Sequence, residues 1–507
     1  MRRLLLPSVL LVLLSLVADA CGASGPSSRP AGSQPPAHYL PTLRPEAPLP
    51  TPYDGVTFED PGVNPFVDTA DDRESTFGLD VDTASYTIAR RWIEDGNLPD
   101  PASIRVEEFV NAFDQGYAAP ETGTFAIHAD GGPSPFLDED EVLLRIGVKA
   151  REVGDRERPD AALTFVVDVS GSMAREDRLE LVKRSLALLV EELRPRDTVA
   201  LVVYGSDARV VLSPTRARDA DEILAAIGSL QPEGSTNAEA GLRLGYALAR
   251  ETLVEGGINR VILASDGVAN VGVTDAEGIL EEIRRDADAG IQLVTVGFGM
   301  GNYNDVLLEQ LADDGDGFYA YVDQLDEARR LFVEDLTGTL QTVALDARVQ
   351  VEFNPDAVEA YRLIGFENRA IDDDDFRDDD VEAGAIGAGH ASTALYALRL
   401  EGDAGWEARL ATVSLRWMDP DTRRADELAE DVYGGDLAES FRATEPAFQL
   451  DALVAATAER FRDSRWGRRY ELRDVLAVAD EIARDLPETA ETDDFLALLE
   501  QAARLER

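Results

Sequence analysis

Between residues 158 and 339 two hydrophobic patterns alternate along the chain. Apolar-rich runs of strand length occur at 163–167, 198–203, 260–265, 291–296 and 317–322, with a shorter run at 208–212 that reads as an edge strand. Between them apolar residues recur three or four apart, as in Leu179, Val182, Leu186, Leu189 and Leu193. That spacing predicts a helix there and further helices over 219–230, 237–253, 275–288 and 304–312, closed by one through Leu331 and Phe332. Strands that alternate with helices at this interval build a parallel sheet covered on both faces. The expected fold class is therefore α/β, a doubly wound, mainly parallel sheet over residues 158–339.

The flanks follow a different pattern. Strand-like runs at 123–129 and 141–150 precede the α/β region, and others follow it at 342–353, 392–401 and 408–417. Two strands alone make a poor core. Both sets are therefore expected to form one β-sandwich, with the α/β domain inserted between its halves. Residues 57–157 form an N-terminal extension with a strand near 75–83, helices over 85–95 and 104–113, and the first two sandwich strands. The C-terminal segment, 340–507, adds helices at 428–442, 446–461, 468–485 and 493–504 to its strands. A chain of 507 residues exceeds one ordinary core, in keeping with this division.

The first residues are not part of that fold. Met1-Arg2-Arg3 and the apolar run 4–17 have the charged and hydrophobic regions of a secretory signal, expected to cover 1–20. The run is too short to read as a membrane-spanning helix. Residues 21–56 are rich in Pro, Ser, Ala and Gly and read as a tether that reaches about 30 Å root-mean-square. Cys21 is the single cysteine, so the chain has no disulfide. Formal net charge is −50, which excludes nucleic acid as a partner and an electrostatic hold on membranes.

Candidate chemistry gathers at the ends of the α/β strands. The strand at 163–167 delivers Asp168, Ser170 and Ser172 into one tight turn. A second loop, Gly234-Ser-Thr236-Asn237, opens a helix, and a third strand ends in Asp266-Gly267. In open α/β sheets ligands bind at the carboxyl ends of the strands. Carboxylates and hydroxyls there suit a hard divalent cation such as Mg2+, or Mn2+ or Ca2+, better than zinc.

Asp-x-Ser-x-Ser, a Gly-flanked Thr and a strand ending in Asp-Gly together resemble the metal-ion-dependent adhesion site of von Willebrand factor A domains. The resemblance fills all five positions: Asp168, Ser170, Ser172, Thr236 and Asp266. It implies that the two serines and the threonine bind the ion directly and that one or both aspartates act through water. It further implies that a partner's Asp or Glu takes the open coordination position. Val17-Ala-Asp-Ala20-Cys21-Gly22 resembles a bacterial lipoprotein signal, which implies acylation of Cys21 and a membrane-anchored, extracytoplasmic protein of a bacterial cell envelope. Asp19 and Ala18 depart from the usual pattern. Residues 75–86, Ile364-Gly-Phe-Glu-Asn-Arg369 and Ile386-Gly-Ala-Gly-His390 resemble a bacterial A-domain lipoprotein family, with an N-terminal extension and a C-terminal domain of unknown function.

The expected function is thus metal-dependent binding of a protein partner at the envelope, not catalysis. Two alternatives are a metal-dependent hydrolase and a scaffold with an unused metal site. Against the hydrolase, no histidine lies near the motifs: His38 is in the tether, and His128 and His390 flank strands. Neither Lys149 nor Lys183 falls in the site loops. Asp80-Val-Asp82-Thr83 resembles a phosphatase nucleophile motif but lacks that chemistry's later elements, and is expected to serve a turn and a helix cap. The acidic run 371–380 is expected to be a solvated loop.

Overall fold

Runs that bury one face in a sandwich need a second sheet against that face, and the chain supplies it from segments almost 200 residues apart. The structure, a computed structural model, describes residues 58, 60–154, 157–267, 276–299, 305–379, 381, 383–402 and 405–506. One sheet of the sandwich contains β1 (Val67–Asp68), β3 (Phe125–Pro133), β4 (Glu141–Ala150), β12 (Val358–Ile364) and β14 (Ala391–Leu400), in the order β1-β12-β14-β4-β3. The other contains β2 (Glu74–Gly78), β11 (Thr342–Phe353), β13 (Gly384–Gly387), β15 (Arg409–Met418) and β16 (Ala425–Tyr433). The decisive pairing is β4 with β14, antiparallel from Glu141↔Arg399 to Lys149↔Ala391. It joins strands from either side of the insertion, as the sandwich expectation requires. Leu144, Ile146, Val148 and Leu398 of one sheet share a core with Val349, Val351, Val413 and Leu415 of the other. Phe353 stacks on Tyr361 across the gap with ring centroids 4.3 Å apart.

Between β4 and β11 the chain builds the inserted domain. Its sheet runs β10 (Tyr319–Val322), β9 (Gln292–Phe298), β8 (Ile258–Ser265), β5 (Ala161–Asp168), β6 (Thr198–Tyr204), β7 (Ala208–Arg216). Every pairing is parallel except that of β7, the edge strand. One face is covered by α3 (Arg178–Glu192) and α4 (Ala220–Gly228), through Leu179, Val182, Leu186, Leu189, Ile223 and Ile227. The other carries α5 (Ala238–Glu251), α6 (Ala276–Asp288) and α7 (Asp305–Asp313), and two short helices, α8 (Leu325–Arg329) and α9 (Leu336–Leu340), follow β10.

A fourth helix on that face comes from outside the domain. α1 (Ala84–Glu94) lays Ala84, Ile88 and Trp92 against the inserted domain. Its opposite side, Tyr86, Ala89 and Ile93, enters a separate core with α2 (Val106–Asn111) and the C-terminal helices α10 (Pro446–Phe461), α11 (Leu472–Ile482) and α12 (Ala490–Leu505). Apolar residues all round α1 had no local meaning; they mark a helix buried between two bodies. Arg369 ties the same junction electrostatically, 2.8 Å from Asp313, 3.0 Å from Glu309 and 3.4 Å from Asp82.

Asp80 and Asp82 serve this junction. Asp80 Oδ1 accepts the Asp82 N–H at 2.8 Å, the expected turn. The expected cap is absent: no side chain caps α1 at Thr83, and Glu108 accepts the Ser85 N–H at 2.7 Å instead. The acidic run, described over 371–379, is a loop with a short 3-10 turn, Asp373–Arg377.

One predicted helix is a strand. Residues 428–442 were expected to be helical, but 425–433 form β16, which pairs with β15 from Met418↔Ala425 to Arg409↔Tyr433. Ala, Leu and Glu favour a helix locally. The ladder on β15 and burial of Val432 override that preference. β12 is a strand that the hydrophobic pattern did not single out.

The α2 segment holds a titratable weak point. Glu107 is 1% exposed, and no arginine or lysine pairs with it among the described residues. Burial, with Glu367 and Asp80 nearby, pushes its carboxyl up to about 7. The folded state therefore binds this proton more tightly than the unfolded chain does. Its contribution is most favourable below the unfolded value of 4.5 and declines as pH rises to about 7. Glu107→Gln is expected to remove that decline, gaining a few kcal/mol over the native chain at pH 8 relative to pH 4.5, at about 1.4 kcal/mol per pKa unit. Urea unfolding of both proteins at the two pH values checks this; equal pH dependence would refute it.

Candidate functional site

β5 is buried along its whole length and ends at Asp168, with β6 on one side and β8 on the other. The sheet order reverses there, which is where open α/β sheets bind their ligands. Asp168 is inaccessible to solvent, and its two oxygens are both used. Oδ1 accepts the Ser170 N–H at 2.7 Å, and Oδ2 accepts the Ser265 hydroxyl at 3.0 Å. The Ser170 and Ser172 hydroxyls lie 3.0 Å apart. Ser172 donates to Asp266 Oδ1 at 3.0 Å, and Arg178 Nη1 donates to Asp266 Oδ2 at 2.7 Å. Four of the five predicted residues thus stand in one network closed by a buried guanidinium.

The loop that carries Thr236 is held to the serine turn by the backbone of its preceding residues. The Gly171 N–H donates to Gly234 O at 3.2 Å, and the Glu233 N–H donates to Val169 O at 2.5 Å. These bonds pin the Thr236 loop against the serine turn. Asn237 then caps α5, accepting the Ala240 N–H at 3.1 Å. α5 itself sits tight on the sheet: a Cβ on Gly241 would lie 2.6 Å from Tyr204, and one on Gly245 would lie 2.4 Å from Val166. The half-buried Thr236 hydroxyl takes no hydrogen-bond partner among the described residues, so its oxygen is open to a ligand.

Burial pushes the Asp168 carboxyl up to about 6, a rise that nearby Asp266 adds to and the bonds from Ser170 and Ser265 oppose. An oxygen-only set of two carboxylates and three hydroxyls fits a hard divalent cation, which would favour the ionised carboxylate. Among the described residues no group of three or more His, Cys, Asp or Glu side chains is placed to hold a metal, so such an ion would depend on the hydroxyls. Beside the Thr236 loop a surface recess of about 410 Å³ is lined by Ser206, Asp207, Arg209, Glu233 and Gly234. A larger cavity, about 470 Å³, lies far along the chain around Arg462 and Trp466 and has no part in this network.

The histidines stand elsewhere. His128 stacks on Tyr117 with centroids 5.1 Å apart. His390 is half-buried, its imidazole pushed down to about 4 by desolvation and by Lys149, Arg330 and Arg260. Cys21 and the expected signal at 1–20 lie outside the described residues. Sequence reasoning missed two participants, Ser265 and Arg178. Arg178 carried a signal: a cation in the first turn of α3 opposes the helix dipole, so something else must hold it.

This is a von Willebrand factor type A fold, and the family model described as von Willebrand factor type A domain matches residues 162–335. A second model, described as von Willebrand factor, matches 53–145, and one described as uncharacterized protein YfbK, C-terminal, matches 338–505. The chain is 35% identical over 464 residues to the uncharacterized protein YfbK of Escherichia coli (strain K12), spanning 87% of this chain and 80% of that one. It belongs to the YfbK family of bacterial A-domain proteins. Human inter-alpha-trypsin inhibitor heavy chain H4 is 28% identical over 205 residues, which are 39% of this chain and 22% of that protein. Among solved structures, a von Willebrand factor type A protein from Catenulispora acidiphila aligns with a TM-score of 0.42 at 16% identity, covering 73% of this chain and 84% of that one.

Proposed function

We propose that this protein binds a protein partner at the bacterial cell envelope through a divalent cation, Mg2+ by preference. Ser170, Ser172 and Thr236 hold the ion by their hydroxyl oxygens. Asp168 and Asp266 set its surroundings. Once bound, the ion supplies a Lewis-acidic position that an Asp or Glu on the partner completes.

The observation that carries this reading is the hydrogen-bond network through Asp168, Ser170, Ser172 and Asp266, with the Thr236 loop bonded to its edge. Asp266 accepts the Ser172 proton, which turns a hydroxyl lone pair away from the carboxylate and toward a ligand. Asp168 fixes the turn by accepting Ser170's N–H. These residues orient oxygens and hold charge, and no histidine or lysine stands among them to move a proton. That favours binding over hydrolysis. Acylation of Cys21 would anchor the chain at the membrane.

Capture of envelope proteins on the immobilised chain, with Mg2+ and then with a chelator, tests the reading. Partners retained in Mg2+ should be released by the chelator and recovered when Mg2+ returns. Retention that ignores the chelator would overturn it.

A further inference from the structure

The Arg178 guanidinium is a component that the five-residue motif does not contain. Its side chain is 3% exposed and starts at the first residue of α3. It crosses Gly299, at the end of β9, so closely that a Cβ there would lie 2.4 Å from Arg178 Nε and 2.6 Å from Cδ. Gly299 has a φ of +74°, which glycine adopts without strain. Only across this bare stretch of backbone does the side chain reach Asp266 Oδ2, at 2.7 Å. Three separate loops are thus committed to one buried ion pair.

We propose that Arg178 is a built-in counter-cation of the metal site, holding Asp266 out of direct coordination and leaving the loaded site with net positive charge. This rests on the metal-dependent reading above and adds the kind of ligand it selects. One Asp266 oxygen accepts the guanidinium in a charge-assisted bond, and the other accepts Ser172, so the carboxylate is already satisfied. It acts as an orienting group. Two carboxylates and one guanidinium carry one net negative charge, which a divalent cation converts to one net positive charge. On a protein of net charge −50, that is a local reversal of sign. It draws in an anionic carboxylate and disfavours neutral ligands that could also fill a coordination place. Without Arg178, Asp266 is free to turn onto the ion, and the loaded site becomes neutral.

Mn2+ serves as the probe, because calorimetry gives its affinity and water-proton relaxation counts the waters it keeps. Acetate is the probe carboxylate. Arg178→Met is expected to bind Mn2+ about tenfold more tightly, the low end of what an outer-shell change does to a metal site. Removing a like charge from beside the ion outweighs losing one orienting bond. The variant's Mn2+ should keep fewer waters, and its loaded form should bind acetate about tenfold more weakly. Unchanged Mn2+ affinity, water count and acetate binding in the folded variant overturn the role of Arg178 while the metal site stands. A native chain that binds no Mn2+ overturns the metal reading itself, and this inference with it. Should Arg178→Met fail to fold, Arg178→Lys carries the test: it keeps the charge but loses the guanidinium fork, so smaller shifts in the same directions are expected. No shift in Arg178→Lys overturns the proposal.

Discussion

Asp168→Asn is expected to abolish the response of this protein to Mg2+. If the native fold holds the ion as proposed, saturating Mg2+ should raise the melting temperature, by an amount equivalent to about 2.7 kcal/mol at a hundred times the dissociation constant. Asparagine keeps the volume of Asp168 but removes a full charge, and it turns one acceptor into a donor. Its oxygen can keep the Ser170 N–H only if its amide donates to Ser265, whose hydroxyl must turn from donor to acceptor. Replacing two charge-assisted bonds by neutral ones costs about 1 kcal/mol before any ion is added. Loss of the charge should lower Mg2+ affinity by about a hundredfold or more, because a buried carboxylate is the strongest attraction the site offers. The check is a pair of melting curves, with Mg2+ and with a chelator, for both proteins. A variant that still gains stability from Mg2+ as the native chain does would place the ion elsewhere. Capture of envelope proteins should fail in parallel with the lost shift.

The second large effect concerns stability. Glu459 on α10 accepts from Arg362 at 3.0 Å and from Arg462 at 2.7 Å, and the Ser464 hydroxyl also donates to it. Arg362 belongs to β12, so the bridge joins the C-terminal helices to the outer face of the sandwich. Its guanidinium stacks on Trp466, 3.8 Å from the ring centroid. Burial pushes the Glu459 carboxyl up, but Arg462 and Arg362 outweigh it and hold it at about 2. Glu459→Gln strands one guanidinium. Arg462 keeps Glu367 at 2.9 Å, while Arg362 keeps no carboxylate among the described residues. Breaking a buried pair in this way costs about 3–5 kcal/mol, so the melting temperature at pH 7 should fall by several degrees. Arg362→Met in the same chain should recover part of the loss, since no orphaned charge then remains at β12. The native advantage is fully present above the unfolded carboxyl value of 4.5 and is lost as pH falls through about 2. The gap between native and Glu459→Gln melting temperatures should therefore narrow in acid. A constant gap, or none at pH 7, would show that the pair carries little of the stability.

The inserted domain was legible because its information is local. Each parallel strand is buried on both faces, and each covering helix repeats its apolar residues every three or four positions, so hydrophobic order alone reports both. The serine turn, the Thr236 loop and Asp266 could be read for the same reason, since each sits directly after a recognisable element. The sandwich was legible as a need: strands at 123–150 and 342–417 had no partners nearer than each other. β16 was not. Its residues prefer a helix, and only the open edge of β15 makes them a strand.

What the sequence by itself determined was which segments form the parallel sheet, where its loops place oxygen-bearing side chains, and that the flanking strands must meet. The tertiary structure alone decided that α1 crosses from the extension to cover the inserted domain, that Arg369 binds two remote segments, and that Arg178 lies across Gly299 to take Asp266. Hydrophobic periodicity records burial along one element, whereas a buried ion pair depends on where two remote elements stop. Side chains that end at the same point in space leave no mark in the spacing of either segment.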